Sequence, residues 1–139
     1  MSRLVIFGPP GSGKSTVIQY LSTEFASHDV EQMGHSYEER KNAFLHAVST
    51  EQSFTIYGGA DLKLQDLPPD TTTLLMCPNS YDVYHQRFER RNTTHTHKTG
   101  QNEKDVYTWF ITHKDKFDYY VDNEGTVEDT VTKIKTYII

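Results

Sequence analysis

A glycine-rich turn, residues 8–15 (GPPGSGKS), stands between an apolar run and an amphipathic segment, and it restricts the possible folds more than any other feature of the chain. The preceding residues 4–7 (LVIF) are all apolar without alternation, which is typical of a strand buried on both faces. After the turn, apolar residues recur every four positions at Val17, Leu21 and Phe25, which indicates a helix. The chain therefore opens with a strand–turn–helix unit of a parallel sheet.

The turn fits the pattern G-x-x-x-x-G-K-[ST], and each fixed position has a chemical reason. Glycines let the backbone adopt conformations closed to other residues and approach a ligand closely. Successive amides then point into one concavity, to which the following helix adds its positive end. Lys14 can reach the β- and γ-phosphates of a nucleotide, and the Ser15 hydroxyl can ligate Mg²⁺. The motif predicts a site for ATP and Mg²⁺ built from Gly8, Gly11, Ser12, Gly13, Lys14, Ser15 and Thr16.

The rest of the chain alternates short apolar runs with amphipathic stretches, which favours further strand–helix units in an α/β fold. Ser36 and Glu39 form the pattern of a capping box, which opens a helix. Further helices are predicted over residues 80–91, from residue 102 and from about residue 126. Five strands are predicted, at residues 4–7, 30–33, 53–57, 72–77 and 119–121.

Composition excludes several classes of protein. The 139 residues form about one domain, 1–139, and no apolar run approaches the roughly 18 residues of a membrane span. The first apolar run is also too short for a signal peptide. The single cysteine, Cys77, cannot form an internal disulfide, so we expect a cytoplasmic protein. A net charge of −5 disfavours a protein that coats nucleic acid broadly.

On residues 4–16 (LVIFGPPGSGKST) the chain resembles the small P-loop kinases of the nucleoside monophosphate kinase and shikimate kinase type. The resemblance implies a three-layer α/β/α sandwich with a five-stranded parallel sheet in the order 2-3-1-4-5. Its crossovers would be right-handed, and the nucleotide would lie at the carboxyl ends of the strands.

A second segment, residues 82–91 (DVYHQRFERR), resembles the helix that enters the lid of adenylate-kinase-like enzymes. The resemblance implies that Arg87 covers the adenine of ATP and that Arg91 contacts phosphates. The two side chains share a helix face because they are four residues apart. A solvated basic helix end is the alternative. The lid itself would be short, at about residues 92–101, with Lys98 as its nearest cation.

Residues 117–130 (FDYYVDNEGTVEDT) resemble the last strand and helix of the same kinases. There the loop after the strand borders the adenine, which makes Asn123, Gly125 and Thr126 candidates for the base pocket. A helix cap explains Thr126 equally well.

The acceptor side carries weaker signals. Gly58 and Gly59, after the third strand, are similar to the shikimate kinase pattern, in which glycine amides meet the acceptor. Arg40 is the candidate for an anionic group of the acceptor, because its planar fork binds phosphate or carboxylate bidentately. The alternative for Arg40 is a surface ion pair with Glu38 or Glu39.

No strand ends in the four-apolar-plus-acid pattern of a strong Walker B motif. Asp61 is the candidate acid, either holding Mg²⁺ through water or acting as a base, and a turn cap is its alternative. Asp29 and Glu31 are rivals for the same role.

Two other patterns do not predict a site. His95 and His97 lack a cysteine or acid that would complete a set of metal ligands. Trp109 and Phe110 are predicted to lie in the core.

The predicted activity is ATP-dependent phosphoryl transfer to a small acceptor, with a nucleoside monophosphate or related nucleotide favoured. One alternative is a kinase that acts on a hydroxyl of nucleic acid, against which the net charge of −5 argues. The other is a nucleotide-binding regulatory NTPase without an acceptor. No membrane partner is expected, and the sequence leaves the acceptor and the oligomeric state open.

Overall fold

A computed structural model of the protein describes residues 2–94 and 103–138, with side chains described for all of these except residues 91–94. The strands are β1 (Arg3–Phe7), β2 (Ala26–Asp29), β3 (Thr55–Gly58), β4 (Thr71–Met76) and β5 (Tyr119–Val121). The helices are α1 (Lys14–Leu21), α2 (Tyr37–Ser49), α3 (Tyr81–Thr94), α4 (Glu103–Thr112) and α5 (Val127–Ile138). Short 3₁₀ helices occur at Val30–Gln32, Leu64–Asp66 and Lys114–Lys116.

The five strands form one parallel sheet in the order β2-β3-β1-β4-β5, which confirms the predicted topology. Strand β1 lies at the centre, where Leu4 is paired with Ile56 of β3 on one side and with Thr72 of β4 on the other. Its apolar residues are fully buried, as an unalternating apolar run predicts for a central parallel strand.

Alternate residues of β1 point to opposite faces of the sheet and enter two separate cores. Leu4 and Ile6 pack with side chains of α1 and α5, such as Leu21 and Ile134. Val5 and Phe7 face the other way and pack with side chains of α2, α3 and α4. On that face the largest buried side chains are Phe44, Tyr57, Tyr84 and Tyr107. The three predicted layers are therefore present.

The predicted second strand at residues 30–33 is wrong. The strand is Ala26–Asp29, and Val30–Gln32 forms a 3₁₀ helix after it. Because β2 is an edge strand whose side chains are only exposed or half-buried, its sequence carries no apolar run. The buried Val30 produced the misleading signal, since it packs where the chain leaves the sheet.

Two further details differ from the prediction. Helix α1 ends at Leu21, so Phe25, four residues later, packs on the core from outside the helix. The prediction that Trp109 lies in the core is wrong, because Trp109 is 45% exposed, whereas Tyr107 of the same helix is buried. Phe110, by contrast, is packed against the core as predicted.

The start of α2 and the end of α3 can be compared with the prediction. The predicted start of α2 is confirmed, because Ser36 Oγ accepts a hydrogen bond of 3.2 Å from the Glu39 amide and so caps the helix. Helix α3 continues through Thr94, and most of the predicted lid at 92–101 lies outside the described residues. Within the described part of the chain, no helix has the length and apolar character needed to cross a bilayer.

Candidate functional site

The glycine-rich turn joins the carboxyl end of β1 to the first turn of α1. Gly11 and Gly13 have φ angles of +83° and +96°, which non-glycine residues rarely adopt, and Gly13 caps α1. A Cβ on Gly8 would lie 2.3 Å from Met76 O of β4, so a side chain there would separate the two strands. The sequence therefore builds a tight loop that leads its backbone into the N-terminus of a helix, the arrangement that binds phosphate.

Lys14 lies over this loop. Its Nζ donates hydrogen bonds to Gly8 O at 2.6 Å and to Pro9 O at 3.2 Å. The ammonium group is thereby held at the mouth of the concavity by carbonyls of the loop itself. A flexible side chain with three donors can exchange these carbonyls for the oxygens of a bound phosphate.

The hydroxyl of Ser15 donates a hydrogen bond of 2.9 Å to Asp29 Oδ2 at the end of β2. The other oxygen, Asp29 Oδ1, accepts a hydrogen bond of 3.1 Å from the Glu31 amide, which holds the carboxylate in place. Hydroxyl and carboxylate oxygens are the ligand types of Mg²⁺, which is bound directly or through water. Among the three candidate acids, Asp29 is the one whose carboxylate contacts Ser15, whereas that of Asp61 is engaged elsewhere.

Asp61 forms a two-pronged ion pair with Arg40. Nε and Nη2 of Arg40 donate to the two carboxylate oxygens at 3.0 Å and 2.7 Å. These hydrogen bonds lower the pKa of Asp61 and, with the charges of Glu31 and Glu39 nearby, raise that of Arg40. The sequence expected an ion pair with Glu38 or Glu39 as the alternative role of Arg40. The structure instead assigns Arg40 a partner from the loop after β3.

Packing explains in part why glycine occupies positions 58 and 59. A Cβ on Gly59 would lie 2.6 Å from the ring of Phe7, and one on Gly58 would lie 3.3 Å from Asp29 Oδ1. The Gly59 amide donates a hydrogen bond of 2.7 Å to Ile6 O, so it extends the sheet pairing. The structure therefore brings Gly58 next to the Asp29 carboxylate, while the Gly59 amide is already engaged.

A cleft of about 170 Å³ opens beside the glycine-rich turn. Arg87 reaches it from α3, where its Nη2 donates a hydrogen bond of 3.2 Å to Glu124 O. Burial lowers the pKa of this guanidinium. The cleft is lined by Ser12, Gly13, Thr16, Val17, Arg87, Asn123, Gly125, Val127 and Thr130. Three predicted candidates from two distant segments, Arg87 from one and Asn123 and Gly125 from the other, therefore line the same cleft.

Asn123 connects this cleft to the glycine-rich turn. Its side chain is 95% buried, and Nδ2 donates a hydrogen bond of 2.6 Å to Ser12 O. Asn123 Oδ1 and Ser12 Oγ are buried and lack hydrogen-bond partners among the described residues. Buried polar atoms without partners are costly, so an acceptor and a hydroxyl held here fit a polar ligand in the cleft. The residues present therefore suit a nucleotide.

Other predicted residues have structural roles or lie outside the described part of the chain. Thr126 Oγ1 accepts a hydrogen bond of 3.1 Å from the Asp129 amide, so Thr126 caps α5, as its alternative role required. The backbone of Arg91 lies in α3, but its side chain is outside the described part of the chain. Lys98, His95 and His97 also lie outside the described residues.

The sequence missed Tyr84 as a support of the site. This fully buried tyrosine of α3 donates a hydrogen bond of 2.7 Å from its hydroxyl to Pro10 O in the glycine-rich turn. Its position within an amphipathic helix indicates burial, but nothing in the spacing shows where the hydroxyl points. The partner could be found only from the tertiary structure.

No protein-family model matches the chain, and no curated protein matches its sequence significantly. Among solved structures, the chain is similar to shikimate kinase from Acinetobacter baumannii in complex with shikimate. The TM-score is 0.66 at 17% identity, and the match covers 99% of this chain and 93% of that chain. Shikimate kinase from Aquifex aeolicus matches with a TM-score of 0.59 at 20% identity, over 98% of this chain and 95% of that chain.

A gluconokinase from Sinorhizobium meliloti matches with a TM-score of 0.56 at 13% identity, over 94% of this chain and 87% of that chain. At these identities the likeness establishes the fold. The chain has the fold of the small P-loop kinases, as its opening residues 4–16 predicted.

Proposed function

We propose that the protein is an ATP-dependent kinase that transfers the γ-phosphoryl group to a small-molecule acceptor. The observation that carries the proposal is the contact between Ser15 and Asp29 at 2.9 Å, directly beside the loop that holds Lys14. A phosphate-binding loop, a cation and a pair of Mg²⁺-type oxygen ligands at one edge of a sheet are the parts that phosphoryl transfer requires.

On the donor side, the amides of residues 11–15 would cradle the phosphates, and Lys14 would balance the charge of the transferred group. Ser15 and Asp29 would hold Mg²⁺, which when bound neutralises the β- and γ-phosphate oxygens. The base would occupy the cleft between Arg87 and Asn123, where the unpartnered Asn123 Oδ1 is a hydrogen-bond acceptor.

On the acceptor side, the charge of the pocket favours an alcohol. Arg40 is the cation here, and Asp61 holds it with both oxygens while Glu31 and Glu39 lie nearby. A phosphate dianion would have to compete with Asp61 for Arg40 and would face the other carboxylates. An acceptor hydroxyl is not repelled and gains a base in the carboxylate of Glu31, since Asp29 is assigned to Mg²⁺. Two of the similar solved structures are a shikimate kinase and a gluconokinase, and the acceptors that these names indicate carry hydroxyl groups.

At phosphorus, the reaction that we propose forms one bond and breaks one, and a proton is transferred in addition. The acceptor oxygen bonds to the γ-phosphorus as the bond from that phosphorus to the β,γ-bridging oxygen breaks, and ADP leaves. The hydroxyl proton passes to the carboxylate of Glu31. Aligning the two oxygens and balancing charge supplies most of the catalysis in such transfers.

A nucleoside monophosphate, which the sequence favoured, is the second candidate acceptor. The observation that favours a monophosphate is the planar guanidinium of Arg40. It would bind a phosphate bidentately once its ion pair with Asp61 is broken.

Transfer of label from γ-³²P-ATP with Mg²⁺ to a panel of acceptors tests the proposal. The panel contains hydroxy acids and sugars, nucleoside monophosphates, and oligonucleotides with 5′ hydroxyls. Label on a hydroxy acid or sugar supports the alcohol kinase, and label on a monophosphate selects the second candidate. Label on oligonucleotides alone would replace the small acceptor by nucleic acid. If label is released only as inorganic phosphate with every acceptor of the panel, the kinase is refuted. The protein would then be a regulatory NTPase.

A further inference from the structure

The loop after β3 supplies Arg40 with an anion from the chain itself. Asp61 accepts hydrogen bonds from Nε and Nη2 of Arg40 at 3.0 Å and 2.7 Å, one on each carboxylate oxygen. A carboxylate or phosphate of a ligand would bind the same guanidinium in this two-pronged way. Asp61 therefore takes the place on Arg40 that was predicted for an anionic group of the acceptor.

The backbone on both sides of Asp61 holds it in this place. The Gly59 amide donates a hydrogen bond of 2.7 Å to Ile6 O, and the Leu62 amide donates one of 2.9 Å to Gly59 O, which closes a turn that contains Asp61. The side chain of Leu62 is buried and packs in the core on the α2 side of the sheet. Because the carboxylate is already ordered, it occupies Arg40 without a further loss of conformational entropy.

Helix α2 makes further contacts with the same loop. The Tyr37 hydroxyl donates a hydrogen bond of 2.7 Å to Asp66 Oδ2, and Lys41 Nζ lies 3.9 Å from the same oxygen. Tyr37, Arg40 and Lys41 share one face of α2, since they lie three and four residues apart. An anionic acceptor would therefore have to displace a carboxylate that belongs to an organised interface.

The charges around Arg40 also oppose an anionic acceptor. Its hydrogen bonds to Asp61 are the main cause that raises the pKa of Arg40, and the charges of Glu31 and Glu39 raise it further. One guanidinium thus lies among three carboxylates, so the net charge of the group is negative. A carboxylate or phosphate on the acceptor would be repelled, whereas an uncharged hydroxyl would not.

We propose that Asp61 determines specificity by standing in for the anionic group of an acceptor, so that the protein selects an uncharged polyhydroxy acceptor, a sugar or a polyol. Hydroxy acids and monophosphates are excluded. The side chain of Asp61 is 51% exposed, so its carboxylate can still accept hydrogen bonds from acceptor hydroxyls. This inference rests on the proposed function, which locates the acceptor beside Arg40.

Gluconate and glucitol are matched probes, because they share a chain of hydroxyl groups and differ in a carboxylate against a hydroxymethyl group at one end. Titration of each probe into the full chain without nucleotide, followed by amide chemical shifts in NMR spectra, gives both affinities. We expect the wild type to bind glucitol more tightly than gluconate. Asp61→Asn frees the guanidinium of Arg40 and raises the ratio of gluconate affinity to glucitol affinity by about tenfold or more.

Two further variants separate the occupation of Arg40 from a general change in charge. Asp66→Asn removes the same charge from the same loop but leaves the pair of Arg40 and Asp61 in place, and we expect it to change the ratio by less than about threefold. Adding Arg40→Lys to Asp61→Asn cancels the gain in gluconate affinity, because an ammonium group has no planar fork.

The proposal is overturned if the wild type binds gluconate at least as tightly as glucitol, or if Asp61→Asn binds neither probe or leaves the ratio unchanged. It is also overturned if Asp66→Asn raises the ratio as much as Asp61→Asn does. Phosphoryl transfer is measured separately. If the ratios are as expected but no acceptor is phosphorylated, the kinase is refuted and the role of Asp61 stands. If the wild type phosphorylates gluconate in preference to glucitol, the kinase stands and the role of Asp61 is refuted.

Discussion

Ser15 Oγ and Asp29 Oδ2 lie 2.9 Å apart although the residues begin a helix and end an edge strand, respectively. The first prediction follows from this contact. Asp29→Asn keeps the size of the side chain but removes its charge, so Mg²⁺ is held less tightly. We expect kcat/KM to fall by about 10- to 100-fold at low Mg²⁺ and to recover in part at high Mg²⁺. An ADP-release assay titrated with Mg²⁺ measures this, with Glu24→Gln as the control; a Mg²⁺ dependence equal to that of the wild type would reassign Asp29.

Lys14→Ala removes the cation that lies over the glycine-rich turn. Lys14 donates hydrogen bonds to Gly8 O and Pro9 O of two buried residues, so the variant also removes two contacts within the turn. We expect kcat to fall by about 100-fold or more, because the transferred phosphoryl group loses its main charge partner. Circular dichroism and the unfolding temperature check that the fold is kept. Lys116→Ala, an exposed lysine distant in sequence, is the control, and equal rates for the two variants would refute the role of Lys14.

Asp61→Asn breaks the ion pair with Arg40, and the effect on stability depends on pH. Arg40 lowers the pKa of Asp61 below its ordinary 3.8, so the pair stabilises the fold above about pH 4 and loses this effect as pH falls through the folded pKa. Because Asp61 is 51% exposed, we expect a loss of about 1 kcal/mol or less at pH 7. Urea unfolding of both proteins at pH 7 and pH 3 measures it. A difference that grows on acidification would contradict this assignment.

The same variant separates the two acceptor classes. Freed from Asp61, Arg40 can grip a phosphate with both prongs, so Asp61→Asn lowers KM for a monophosphate if that is the acceptor. If the acceptor is an alcohol without a phosphate, KM changes little. Arg40→Lys, which keeps the charge but loses the fork, is the control.

Asn123→Asp replaces a donor by an acceptor next to the glycine-rich turn. Ser12 O loses its 2.6 Å hydrogen bond and then faces a carboxylate in a buried position. We expect the free energy of unfolding to fall by about 1 to 3 kcal/mol and the affinity for ATP to fall as well. Urea unfolding and calorimetric ATP titration measure the two effects, and Asn79→Asp in an exposed loop is the control. Unchanged ATP affinity would exclude Asn123 from the nucleotide site.

Gly59→Ala tests whether this glycine is required for packing. The new Cβ would lie 2.6 Å from the ring of the buried Phe7, and we expect a loss of about 1 to 3 kcal/mol in unfolding free energy. In the background of Phe7→Leu, which removes the ring, the same change costs less. A double-mutant cycle measured by urea unfolding gives the difference. Additive effects of the two changes would show that the cost has another source.

The apolar runs predicted most strands because such runs reflect burial on both faces, whereas the sheet order was implied by the resemblance to the small P-loop kinases. The sequence placed β2 wrongly because Ala26–Asp29 is an edge strand with few buried side chains, and apolar periodicity carries no information about such a strand. For the same reason Asp29 could be named only as a rival of Asp61. The pairing of Ser15 with Asp29 depends on the neighbouring β3, which positions β2 in the sheet.

The residues proposed to bind the nucleotide were more predictable than those proposed to bind the acceptor. Arg87 and Asn123 lie on segments with recognisable patterns, and both line the cleft. The partner of Arg40 was not predictable, since Asp61 is 21 residues away and reaches Arg40 only through the path of the loop after β3. The hydroxyl contact from Tyr84 to Pro10 was hidden for a similar reason, because it is made by the polar end of a core aromatic.

The glycine-rich turn is held from two sides, by Tyr84 at Pro10 O and by Asn123 at Ser12 O. These anchors come from α3 and from the loop after β5, so the backbone geometry of the turn does not depend on a ligand to organise it. If the turn binds a triphosphate as proposed, we expect a kinetic consequence: capture is governed by the frequency of productive collisions rather than by a slow rearrangement of the backbone, and its observed rate rises linearly with ligand concentration.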